Sequence, residues 1–392
     1  MKLLSLLTAG FLLMSSEMTF GQPKGNSQPG NPPDRARMMQ NLKAHPNLEY
    51  VSGGHERHKL DLFLPKEESE PLPLIIWIHG GAWQNGSKEG CPPLRKGYTD
   101  HGYAVASINY RLSGHATFPA QIEDCKAAIR WLRGHAQEYN LDPDRFGVWG
   151  SSAGGHLVAL VGTSGGVTEY DVGDYMEQSS SVQAVCDFYG PTDLIAFVQT
   201  PGYTNHSNIH SPESKLIGGL VLENEEQATR ANPIEYVSED DPPFLIVHGD
   251  KDPVVPINQS ELLFKAMKSQ KLSVHFHTIH GAGHGRPGFD APELNEMVLK
   301  FFDSTLKGNS GEKEPAQAIT SESTAQAESR PDPNERFRPS FEKILIRADK
   351  DNDGKISAQE FKASPDLFKR LDRNQDGYIT QEEHNQLFGI KD

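Results

Sequence analysis

Cysteine is scarce in this chain, with only Cys91, Cys125 and Cys186. Three are too few for a disulfide framework, and the odd count leaves at least one thiol free. None lies in a CxxC pair or beside a convincing base, so each is expected to pack as a small buried side chain. Basic runs are also missing. A formal net charge of −15 at pH 7, with no cluster of Lys or Arg, argues against a nucleic-acid partner. Long apolar runs are confined to the start. Lys2 precedes Leu3–Met14, which is too short to span a bilayer comfortably, and Thr19 and Gly21 supply small residues before Gln22. This pattern predicts a secretory signal over residues 1–21 and a secreted or periplasmic protein. No cysteine follows the run, so a lipid anchor is not expected, and no later segment suits a membrane span.

What is present divides the chain into parts. Residues 22–46, rich in Gly, Pro, Asn and Gln, read as a flexible leader. Over 47–306, short β-branched or aromatic runs alternate with helical patterns. The runs "PLIIWIHG", "YAVASINY", "RFGVWG", "VQAVCDFYG", "PFLIVHGD" and "VHFHTIHG" fit buried strands of a mostly parallel sheet. Between them, Ile122, Cys125, Ile129 and Leu132 recur at helical spacing. Such alternation predicts an α/β sandwich with helices on both faces. Residues 165–180 and 200–232 are expected as insertions over the pocket. Residues 307–335 lack large apolar side chains and read as a disordered linker, followed by a compact acidic module over 336–392.

The stretch "VWGSSAGGH" (148–156) joins a strand pattern to a helix pattern and contains G-x-S-x-G centred on Ser152. Glycines two before and two after the serine permit a sharp strand-to-helix turn that exposes its hydroxyl. A serine hydroxyl needs a base to act as nucleophile. In this chain order the acid and then the histidine follow later strands. "PFLIVHGDKDPVVP" offers Asp250 and Asp252, and "VHFHTIHGAGHG" offers His280 and His284. His284 lies in a glycine-rich loop beyond the strand and is the expected base; His280 is expected to end the strand. Asp252 lies deeper in its loop and is the expected acid, with Asp250 capping the turn. Backbone amides of Gly81, Ala82 and Ala153 are the expected oxyanion donors. His79 is expected to organise its loop. Trp83 either lines the pocket or packs.

Together "IHGGAW", "GSSAGGH", "DFYGPTDL", "HGDKDPVVP" and "GAGHG" resemble the α/β-hydrolase superfamily over roughly 47–305. The resemblance is nearest to carboxylesterases akin to hormone-sensitive lipase, feruloyl and acetylxylan esterases, and kynurenine formamidase-like enzymes. It implies ester hydrolysis through an acyl-enzyme with no catalytic cofactor, favours Asp252 as the acid, and gives Asp193 a structural role. The loop reads HGGA where the family form is HGGG, which leaves the donor pair open by one position.

Two segments, "DKDNDGKISAQE" (349–360) and "DRNQDGYITQEE" (372–383), fit the calcium-loop pattern D-x-[DN]-x-[DN]-G-x5-E and resemble EF-hands. Ca²⁺ wants six to eight oxygens, which alternate residues of a wrapping loop supply. The expected ligands are Asp349, Asp351, Asp353, the Lys355 carbonyl, Ser357 through water and Glu360. In the second loop they are Asp372, Asn374, Asp376, the Tyr378 carbonyl, Thr380 through water and Glu383. Ile356 and Ile379 occupy matching positions for a short strand pair, giving a small all-α module with two loops joined by a strand contact.

The function expected from these readings is a secreted serine carboxylesterase acting on a small-molecule or polysaccharide ester, such as an acetyl or feruloyl ester, with a structural Ca²⁺ module. A prolyl-oligopeptidase-type serine peptidase is the alternative enzyme, though no propeller segment precedes the domain. A calcium-dependent binding or scaffold protein with an inactive hydrolase domain is the non-enzymatic alternative. Nothing in the sequence fixes the oligomeric state.

Overall fold

A computed structural model describes residues 42–67, 70–308, 353–360, 368 and 372–383. The expected signal segment (1–21), the leader up to residue 41, the linker from 309, and Asp349 and Asp351 lie outside the described residues.

Eight strands form one sheet: β1 (Leu42–Glu49), β2 (Lys59–Pro65), β3 (Leu72–Ile78), β4 (Ala104–Ile108), β5 (Leu141–Ser151), β6 (Ala184–Phe188), β7 (Phe244–Gly249) and β8 (Val274–Ile279). Their spatial order is β1-β2-β4-β3-β5-β6-β7-β8. Strand β2 runs antiparallel to β4, and β4, β3, β5, β6, β7 and β8 are mutually parallel. All six strands anticipated from sequence are present. The central ones are continuous apolar runs because helices cover both faces, so neither side of the strand can be polar.

Alternation along β3 separates the two layers. Leu74, Ile76 and Ile78 join Phe146 and Val148 in a core shared with α1 (Ala120–Gly134) and α2 (Ala153–Thr163). Trp77 points the other way, meeting Trp149 edge-on at 5.8 Å. Trp149 packs in turn near Phe302, at the end of the helix Pro292–Phe302.

Two sequence expectations need correction. The leader was drawn to residue 46, yet β1 begins at Leu42. This strand is mostly exposed, contains Pro46 and lies at the sheet edge, where backbone pairing substitutes for an apolar run. Residues 165–180 were expected over the pocket but are tied to α1. Lys126 Nζ donates to the Ser164 carbonyl (3.0 Å) and pairs with Asp171 (3.3 Å), and Arg130 Nη1 reaches the same carboxylate at 2.8 Å. That segment explains why α1 buries Lys126 and Arg130 as well as its apolar stripe. The three cysteines are free and buried, and burial pushes the Cys91 thiol up to about 12.

Removing the shared carboxylate would strand two buried cations. Asp171→Ala is therefore expected to cost about 3–5 kcal/mol in urea unfolding. A loss within experimental error would show that the pairing is energetically neutral.

Candidate active site

The site is assembled at the carboxyl ends of parallel strands, where open α/β sheets gather ligands. Strand β5 runs into α2 through Ser152, whose backbone sits at φ +55°, ψ −124°, a conformation that L side chains rarely adopt. Close approach explains the surrounding small residues. A Cβ on Gly150 would lie 2.2 Å from the Gly154 carbonyl oxygen, and one on Gly154 would lie 2.1 Å from that of Ile78. The Ser152 amide donates to the Phe188 carbonyl (2.9 Å), tethering the turn to the end of β6. Ser151 closes the strand, while Ser152 carries its hydroxyl beyond it.

His284 Nε2 lies 3.0 Å from Ser152 Oγ, and His284 Nδ1 lies 2.7 Å from Asp252 Oδ2. The imidazole bridges hydroxyl and carboxylate, residues separated by a hundred positions in sequence. Asp252 Oδ1 accepts the amides of Val254 (2.8 Å) and Val255 (3.0 Å). Burial alone would raise its pKa. Hydrogen bonds from His248 and His284 and the Val255 amide reverse that and hold the carboxyl well below its usual range. The rival pair is built elsewhere. Asp250 accepts the Gly281 amide (2.7 Å) and faces His280 Nδ1 (3.0 Å), whose side chain is almost fully exposed.

The loop after β3 lies against the serine turn. A Cβ on Gly80 would come within 2.6 Å of the Ser151 carbonyl oxygen and 3.3 Å of Ser152 Cβ. Gly81 (φ +114°), Ala82 (φ +55°) and Trp83 (φ +54°) curl this loop, with Gln84 and Asn85 amides closing on the Gly81 carbonyl. The amides of Gly81, Ala82 and Ala153 have no hydrogen-bond acceptor among the described residues, the last because a first helical N–H has none within its helix. Trp83 packs: it is buried, and its Nε1 donates to His156 Nδ1 (3.3 Å) on α2. His156 Nε2 donates to the Ala231 carbonyl (2.7 Å), and burial depresses its pKa to about 4, so the ring stays neutral. His79 is likewise held neutral, near 4, chiefly by burial. Arg57 donates to His79 Nε2 (3.1 Å) and to the Gly86 carbonyl (3.0 Å), fastening both ends of the loop.

Sequence reasoning missed two neighbours. Tyr189, after β6, meets the His284 ring edge-on at 4.6 Å, and burial pushes its phenol up to about 12. His248 lies wholly buried on β7 with Nε2 3.4 Å from Asp252 Oδ2. Its position inside the quoted "IVHGDKD" run was the available signal. Asp193, by contrast, caps the helix Leu194–Gln199 by accepting the Ala196 amide. From the 200–232 insertion, the Tyr203 hydroxyl donates to the Asp252 carbonyl.

The second calcium loop suits a hard cation. Asp372 and Glu383 are buried, and no cationic side chain pairs with either among the described residues. Loop amides donate to the loop's carboxylates: Gly377 to Asp372 Oδ2 (3.0 Å), Tyr378 to Asp376 Oδ1 (2.9 Å), Thr380 to Glu383 Oε2 (3.0 Å). Two buried carboxylates with amide donors but no cationic partner among the described residues favour a counter-charge, and these residues fit Ca²⁺. In the first loop, Lys355 N donates to Asp353 Oδ1 (2.9 Å) and Ser357 donates to Glu360 Oε2. Ile356 and Ile379 pair antiparallel, joining the loops as expected. A third group, His55, Glu56 and His115, brings ligand atoms within 4.8 Å. Both imidazole Nδ1 atoms accept backbone amides, from Arg57 and Leu112, leaving the neutral rings' protons on Nε2. That tautomer offers a cation no Nε2 lone pair.

Asp252 sets a sign for acid stability. Its depressed folded pKa contributes stability that is complete above its unfolded value, about 3.9, and is lost as pH falls through the folded value. Urea midpoints are therefore expected to drop below about pH 4, and more shallowly in Asp252→Asn; identical acid slopes would remove Asp252 as a source.

Residues 60–267 match the BD-FAE family, and residues 341–363 and 366–387 match the EF hand. Esterase LipQ of Mycobacterium tuberculosis is 34% identical over 57% of this chain and 52% of its own length. The chain spans about half the length of the curated relatives it matches. A solved structure described as a truncated form of carbohydrate esterase from gut microbiota is 35% identical, with TM-score 0.61, over 68% of this chain and 96% of its own. An acetyl ester-xyloside bifunctional hydrolase from Caldicellulosiruptor lactoaceticus is 27% identical, with TM-score 0.53, over 63% and 87% respectively. A match over more than half of its residues, on a parallel sheet bearing this serine turn, makes the chain a member of the BD-FAE family of α/β-hydrolases.

Proposed function

We propose that the protein is an exported serine carboxylic ester hydrolase that removes acyl groups, acetyl or feruloyl, from polysaccharide, with a calcium-binding EF-hand pair in a structural role. The observation that carries this reading is the unbroken hydrogen-bonded line Ser152–His284–Asp252. Support for the substrate class comes from the carbohydrate esterase and acetyl ester-xyloside hydrolase among its structural relatives.

In this mechanism Ser152 Oγ attacks the ester carbonyl carbon while His284 Nε2 takes the hydroxyl proton. The Ala153 amide and those of Gly81 and Ala82 donate to the oxyanion as it forms. Collapse breaks the bond to the alcohol, which leaves with the proton from His284. Water then attacks the acyl-serine, again giving its proton to His284, and the acid departs as the serine is restored. Asp252 fixes the imidazole tautomer and stabilises the imidazolium. Bound Ca²⁺ would supply charge balance to the loop carboxylates at a distance in sequence from this chemistry.

Ser152→Ala is expected to cut p-nitrophenyl acetate turnover by about 10⁴-fold or more and to abolish fluorophosphonate labelling; near-wild-type turnover would reject the assignment. Acetate release from acetylated xylan, ferulate release from feruloylated arabinoxylan and a peptide panel rank the substrates. Cleavage confined to peptides would favour the peptidase alternative. Calorimetric titration of Ca²⁺ into the full chain is expected to show binding weakened on the order of 10-fold by Glu383→Gln. Chelation is expected to leave turnover of the small ester unchanged, and its loss would contradict a purely structural role.

A further inference from the structure

His248 is fully buried, and it is held on both sides. It is the penultimate residue of β7, in register with Thr278 of β8, so the sheet fixes its backbone. Nδ1 lies 2.7 Å from Ser260 Oγ, and Nε2 lies 3.0 Å from the Val255 carbonyl and 3.4 Å from Asp252 Oδ2. A carbonyl oxygen can only accept, so Nε2 carries a proton directed at Val255, and that N–H dipole lies 3.4 Å from the neighbouring carboxylate oxygen. The Ser260 hydroxyl donates to Nδ1, completing one tautomer. Ser260 is itself buried on the helix Asn258–Ser269, which follows the acid loop.

The consequence falls on Asp252. Oδ1 is committed to two backbone amides, which set the carboxylate's pivot. Oδ2 receives His284 from the active-site side and His248 from the interior. Without the second donor, nothing among the described residues braces the inward side of Oδ2.

We infer that His248, oriented by Ser260, is a positioning residue that aims Asp252 Oδ2 at His284. The role acts through Asp252 and not on substrate, and it rests on the hydrolase reading above. Because His248 touches neither substrate nor oxyanion, its loss falls on kcat and spares KM.

Amide side chains separate the two halves of this role. Asn reproduces the Nδ1 position facing Ser260 but does not reach Asp252, whereas the Gln amide nitrogen stands where Nε2 stood. On the full chain with p-nitrophenyl acetate, His248→Asn is expected to lower kcat about 10- to 100-fold with KM changed less than about twofold. His248→Gln is expected to recover to within about fivefold of wild type. Ser260→Ala, a small change that keeps the test decisive should His248→Asn fail to fold, is expected to lower kcat about 3- to 10-fold at unchanged KM. Equal losses in the Asn and Gln variants, or wild-type kcat in either His248→Asn or Ser260→Ala, would overturn the inference. A wild-type protein inert to both the ester and a fluorophosphonate would instead bring down the hydrolase reading, and this inference with it.

Discussion

A serine side chain at φ +55° costs on the order of 1–3 kcal/mol, and the fold is arranged to hold it there. The carbonyl oxygen of Ile78, at the end of β3, lies where any side chain on residue 154 would stand. The Ser152 amide is anchored on β6, and α2 starts directly after it. Three elements that meet through backbone contacts thus oblige the chain to turn within one residue. The turn lifts the hydroxyl clear of the strand, and everything else at the site is placed relative to that point.

The loops around Ser152 are fastened by two neutral histidines and the Arg57 guanidinium that donates to one of them. His79 and His156 are buried and uncharged, each using one ring nitrogen to accept and the other to donate. The Asp252 carboxylate meets three hydrogen-bond donors and has His248 Nε2 3.4 Å away. A carboxylate so saturated resists protonation and keeps one geometry, which is what orienting an imidazole requires.

Much of this was readable from residue order. Apolar runs of strand length located the central sheet because strands covered on both faces carry no polar alternation, and the spacing of Ile122, Cys125, Ile129 and Leu132 located α1. The edge strand β1 was not readable, since an edge holds its place through backbone hydrogen bonds that no side-chain pattern reports. Nor was the route of residues 165–180, which depends on two cations from α1 reaching one carboxylate some forty positions away. At the site, the turn glycines and the loop histidine had local signatures. For His248 the signal was only its place in the quoted run, because an interior histidine on a strand looks the same in sequence whether it braces a carboxylate or only fills space.

By itself the sequence determined the chemical inventory: a serine between glycines, an acid and a histidine after later strands, and two loops with oxygen ligands at alternate positions. These are local patterns, set by the backbone turns and ligand spacings that a few neighbouring residues can specify. The choice of Asp252 over Asp250 and His284 over His280 was already favoured by loop position, whereas tertiary structure alone decided that Trp83 packs on His156 and that Asp252 has a second histidine behind it. Those outcomes depend on where sheet order and strand register bring distant loops together, and hydrogen bonds a few ångströms long are decided by that placement.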